Sequence, residues 1–274
     1  MIEFTRPKPP LLTPARTLLA IGTTGSALAL VILGVSILLR LTTLFADDGH
    51  PVSTLPDTLE SAVRMLHRLA ASGIGLLALW ATVLCWIRRP LVAKAVMPTA
   101  WIVAATVLLA AIGPLTPGYR FATVTVANVV GGTVLLMACW WLREALATGP
   151  AHRQARNPLL LPALLVFLAH VGIGAAASAL SVRGMRWVAF MHMGSAVLVV
   201  ILVGAILWDR HGRTRLTRLV GLVTLLLAAQ IALGLALMAA DPRPVWLGFL
   251  HAMLSPLLAA GLVSIAVRDS TGRH

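Results

Sequence analysis

Residues 187–208 read WVAFMHMGSAVLVVILVGAILW, twenty-two residues without a charge, opening on a tryptophan and carrying a histidine at the sixth place. The same beginning returns in residues 246–267, WLGFLHAMLSPLLAAGLVSIAV, so that W-x-x-F-x-H occurs at Trp187–His192 and again at Trp246–His251. Apolar runs longer than about 18 residues span a bilayer as helices. Tryptophan prefers the membrane interface, so each phrase places an imidazole a little over one turn below the headgroups, at one common depth. Two neutral imidazoles facing each other at equal height are what axial coordination of a haem iron requires, and bundle cores are where such cofactors are held. His192 and His251 are therefore the candidate iron ligands. A zinc site would need further ligands beside them.

Working outward, the whole chain has the same character. Of its 274 residues, 59% are hydrophobic and only 11% charged, with a mean hydropathy of +0.91. One water-soluble domain cannot hide that much apolar surface. Eight spanning helices are expected, at about 17–39, 65–87, 91–113, 121–142, 159–181, 187–208, 219–240 and 246–267. The net charge of +13 reads as topology rather than as a nucleic-acid surface. With both termini in the cytoplasm, 15 of the 22 Lys/Arg fall on the inner side, while Asp47, Asp48, Asp57 and Glu60 fall on the outer one. The opening MIEFTRPKPP has no small-residue cleavage site, so the first helix is expected to be retained. Cys85 and Cys139 lie near inner helix ends, where a structural disulfide is not expected, and no CxxCH attachment exists.

The polar stretch Arg143–Pro158 divides the chain into two four-helix halves, residues 1–150 and 151–274, that look duplicated. Helices 2, 4, 6 and 8 run in one direction, and His67, Asn128, His192 and His251 fall near their outer ends. The separations agree, 61 residues in the first half and 59 in the second. Gly34, Gly113, Gly174 and Gly234 form a weaker repeat on the odd helices, where small residues let helices approach. The fold class is thus all-α, two pseudo-repeated four-helix bundles in a membrane. The segment 41–61, with Pro, Asp and Gly, is expected to cap the first half.

The remaining histidines sort by place. His50, His152, His211 and His274 fall in polar segments. His170 is mid-membrane on helix 5, where an interhelical hydrogen bond is its first expectation. Arginines gather at the rim of the histidine layer: Arg64, Arg68, Arg120, Arg183, Arg186 and Arg243. Some are snorkelling residues. Arg68 and Arg186 are preferred partners for haem propionates, whose carboxylates suit a guanidinium fork, and Arg64 is a further one. Trp187 and Trp246 are first of all interface anchors and secondarily candidates for cofactor contact.

With RLT at Arg40–Thr42, HRLAAS at His67–Ser72 and the two late histidines, the sequence resembles the haem A synthase family over nearly its whole length. The resemblance implies eight helices in two halves, a haem b between His192 and His251, and a substrate haem at His67. Its activity would be oxidation of a haem O methyl to the formyl of haem A, serving cytochrome oxidase biogenesis in the cytoplasmic membrane. Haem O synthase or a respiratory complex would then be its partners. The chain departs from the family pattern in three places. Arg64 stands where E-x-x-H-R has its glutamate, leaving Glu60, seven residues before His67, as the candidate acid–base group. Asn128 stands in the place of the helix 4 histidine, so the first half holds an altered substrate-haem pocket. The outer loop lacks the cysteine pair of many members. The competing expectation is a non-catalytic b-type cytochrome subunit carrying electrons in a respiratory complex. A transporter ranks last.

Overall fold

The protein is described by a computed structural model covering residues 14–45, 51–88, 92–115, 122–148, 157–180, 187–211, 216–240 and 244–269. Its helices are α1 (Pro14–Leu41), α2 (Asp57–Ile87), α3 (Ala93–Ile112), α4 (Ala122–Ala147), α5 (Leu160–Leu180), α6 (Trp187–Arg210), α7 (Thr217–Ala239) and α8 (Val245–Asp269). Among the described residues, eight helices are long and apolar enough to cross a membrane. In hydrocarbon every backbone N–H and C=O must be satisfied internally, and the helix does this within one segment. Leu76, Trp86, Leu161, Leu225 and Trp208 are exposed, a surface that suits lipid rather than water, and the chain is a multi-pass membrane protein.

Two boundaries differ from the hydropathy reading. Helix α2 begins at Asp57 rather than near 65. Its polar first turns hide from a hydropathy window, but Pro56 precedes the helix and Asp57 and Glu60 sit in its first turn, where negative charge favours a helix start. At 31 residues it is about 46 Å long, well over the roughly 30 Å of a hydrocarbon core. Helix α4 runs on to Ala147 because Glu144, in its last turns, is buried and ion-paired instead of solvated. The segment before α2 is not wholly irregular. Strand β1 (Thr43–Phe45) pairs antiparallel with β2 (Pro51–Ser53), Thr43 opposite Ser53, a small exception to an otherwise helical fold.

Consecutive helices pack side by side in each half, and the halves meet where α4 lies on α5 and α8, and α8 on α1. One relation differs between the halves. Helices α1 and α4 pack closely along their length, whereas α5 and α8 touch at few points. The first contact depends on glycines: a Cβ at Gly22 would meet the Arg143 backbone nitrogen at 2.8 Å, and one at Gly132 would meet Leu33 at 2.7 Å. Two clusters of buried aliphatic residues follow, one in each half.

The helix ends far from the histidine layer are joined by charge. Glu144, fully buried, pairs with Arg143 and, across the halves, with Arg268 at 2.8 Å. Arg210 and Asp269, 3% and 2% exposed, bridge α6 and α8. Trp140 Nε1 donates to Ser264 Oγ at 2.6 Å, tying α4 to α8 again. Cys85 and Cys139 are free and buried.

Candidate functional site

His192 and His251 enter the same space from α6 and α8. Their ring centroids lie 6.4 Å apart with planes at 89°. Two imidazoles sharing a metal at a metal–nitrogen distance of about 2.0 Å place their ring centres roughly 6 Å apart, and because both rings contain the ligand axis any angle between them is allowed. Among the described residues no group of three or more His, Cys, Asp and Glu side chains is arranged to hold a metal ion. A bare ion would therefore be poorly held by this pair. A metal whose other four positions are filled by a macrocycle needs only the two axial donors, so the donor set fits a haem better than a bare cation.

Both rings rest on glycine. A Cβ at Gly174 would lie 2.7 Å from His192 Cε1 and 3.0 Å from its Nδ1, and one at Gly234 would lie 3.2 Å from His251 Cε1. The glycine repeat thus makes room for imidazoles here. It does not have the same role in the first half: a Cβ at Gly34 would make only ordinary contact with Met253 and Phe249 of α8, and one at Gly113 would face open space. Nδ1 of both histidines is buried and completes no hydrogen bond of good geometry, although the backbones of His170 and Gln230 interact with the two rings. A ligand histidine commonly directs its other nitrogen at a main-chain carbonyl, and these are the acceptors within reach.

A second layer surrounds each ring, and it too is repeated. His170, 6% exposed, forms the expected interhelical bond, Nδ1 to Ser195 Oγ at 2.8 Å, and stacks on His192 with centroids 4.2 Å apart at 10°. In the other pair of helices Gln230 Nε2 donates to Ser255 Oγ at 2.8 Å. His170 and Gln230 each precede the cradling glycine by four residues, and Ser195 and Ser255 follow the histidines by three and four. Sequence reasoning did not single out Ser195, Gln230 or Ser255. For Gln230 a signal was available, since it stands four before Gly234 as His170 stands four before Gly174.

In the first half, His67 and Asn128 line a common cavity of about 500 Å³ between α1, α2, α3 and α4. Arg40, Arg64 and Arg68 also border it, and Ile32, Leu33 and Leu135 contribute apolar wall. Arg40 was noted only as part of a motif; its position on the cavity follows from the α1–α2 packing. Glu60 is on helix α2, as its candidacy required, but it is not among the cavity-lining residues. Arg64 Nε donates to Glu60 Oε1 at 2.7 Å in an i,i+4 ion pair. Trp187 and Trp246 are 58% and 62% exposed, the disposition of lipid-facing anchors rather than of cofactor contacts. Arg120, Arg183, Arg186 and Arg243, with His50, His152 and His274, lie outside the described residues. No protein-family model matches the chain, and no curated protein is significantly similar to it.

Proposed function

We propose that the protein is a haem-binding membrane oxidoreductase of the haem A synthase kind, embedded in the cytoplasmic membrane with both termini inside. The observation that carries this reading is the pair of imidazoles on α6 and α8, 6.4 Å apart over two glycine cradles. A haem b bound there supplies one-electron transfer. His192 and His251 hold and orient it. In the first half His67 and Asn128 border space for a second amphiphilic tetrapyrrole, haem O as substrate and haem A as product. Arg64 and Arg68 offer guanidinium forks to its carboxylates, with Arg40 beside them. Glu60 is the nearby carboxylate able to hold a proton, and its exchange with the cavity requires the Arg64 contact to open.

A second reading is a b-type cytochrome subunit that carries electrons on its haem and is held in a respiratory complex through its exposed helix faces. The Glu60–Arg64 pair and the amide at Asn128 favour it, because neither leaves a base or a second iron ligand facing His67. Extraction of the pigments from purified full-length protein separates the two. Haem O or haem A beside haem b supports the synthase reading, and haem b alone supports the carrier. Absence of any haem after expression in a haem-replete host, or retention of a bis-histidine α-band in both His192→Ala and His251→Ala, overturns the shared premise.

A further inference from the structure

Buried between α5 and α6, His170 has a role that axial ligation does not use. Ser195 Oγ donates to the main-chain carbonyl of His192 at 2.9 Å. A hydroxyl has one proton, so at its 2.8 Å contact with His170 the same oxygen accepts, and His170 carries its proton on Nδ1. That bond fixes the His170 ring. Phe167, 1% exposed, lies 6.5 Å from it at 50° and confines it further. The fixed ring then lies parallel to His192 at 4.2 Å, while the Cε1 edge of His192 is so close to Gly174 that a Cβ there would lie 2.7 Å from it. Rotation of the His192 plane would run into one or the other.

His251 lacks a stacked aromatic partner of this kind among the described contacts; a Cβ at Gly234 would lie 3.2 Å from its Cε1, and the Gln230 main chain interacts with the ring. The two environments hold the rings at 89°. We propose that His170 is a positioning residue that sets the plane of the His192 imidazole, through its stack and its bond to Ser195, and so keeps the two ligand planes perpendicular when they share an iron. This rests on the reading of His192 and His251 as axial ligands. Second-layer groups of this sort orient first-layer ligands and tune the metal. Each imidazole donates π density into the iron orbital set by its plane. Perpendicular planes leave two iron orbitals nearly equal in energy, and parallel planes split them.

The test is low-temperature electron paramagnetic resonance of the ferric, haem-loaded full-length protein, with the reduced α-band recorded on the same sample. Wild type is expected to show one strongly anisotropic low-spin signal with its main feature at unusually low field. His170→Ala is expected to keep the α-band and shift that feature toward the three-line rhombic pattern of near-parallel ligands. Ser195→Ala, which frees the His170 ring, shifts it the same way. His170→Phe restores a flat stacking partner and moves it back toward wild type. A rhombic signal from wild type, or an unchanged signal in both His170→Ala and Ser195→Ala, overturns the proposal while leaving the haem site standing. Loss of the α-band in His170→Ala but not in His192→Ala overturns it by making His170 the ligand. Wild type with no low-spin haem overturns both readings together.

Discussion

Gly174→Ala and Gly234→Ala are the same chemical change at matching positions of the two cradles, and the geometry makes their effects unequal. The added methyl at 174 would lie 2.7 Å from His192 Cε1, against ordinary contact beginning at 3.4 Å, so the ring must retreat by about 0.7 Å. At 234 the distance is 3.2 Å and the retreat about 0.2 Å. Metal–nitrogen distances tolerate about 0.2 Å, so only the second change stays within reach of an intact bond. His192 also has little room to move, because its face is already against His170. Overpacking of this kind costs about 1–3 kcal/mol. Roughly ten- to hundredfold weaker haem retention is expected for Gly174→Ala, and a change of a few-fold at most for Gly234→Ala. The assay is haem b per protein after challenge with an excess of apomyoglobin as a haem acceptor. Equal losses in the two variants, or no loss in Gly174→Ala, would refute the reasoning that the glycines exist to seat the imidazoles.

Three further outcomes are expected. Gly22→Ala should lower thermal stability in detergent by about 1–3 kcal/mol without altering the haem spectrum, because its methyl would press on the Arg143 backbone, which cannot swing aside; an unchanged melting curve would contradict the α1–α4 packing. Asp269→Ala should cost about 3 kcal/mol by leaving the buried Arg210 guanidinium, among the described residues, with only its 3.2 Å contact to Asp209, measured by the same melting experiment. In a strain without its own synthase, Glu60→Gln should abolish or strongly reduce haem A formation while haem b remains at His192/His251; full activity would remove Glu60 from the mechanism but not the family reading.

The spans and their number were legible in the chain because a bilayer imposes a length on each apolar run. That is a local constraint, and α5, α6, α7 and α8 fall within a few residues of where hydropathy places them. The start of α2 was not legible, since its polar first turns look like a loop to a hydropathy window although their backbone is helical. The glycine repeat was visible, but its meaning was ambiguous: a missing Cβ can admit a helix, as at Gly22 and Gly132, or an imidazole, as at Gly174 and Gly234. Likewise Glu60 and His67 share a helix face on paper, yet Glu60 pairs with Arg64 while His67 borders the cavity. Which side chains meet depends on the rotation of each helix about its axis and on the distance at which neighbours cross. Those quantities are set by contacts summed over the whole bundle, so the 6.4 Å ring spacing, the His170 stack and the contrast between a closed α1–α4 and an open α5–α8 belong to the tertiary structure alone.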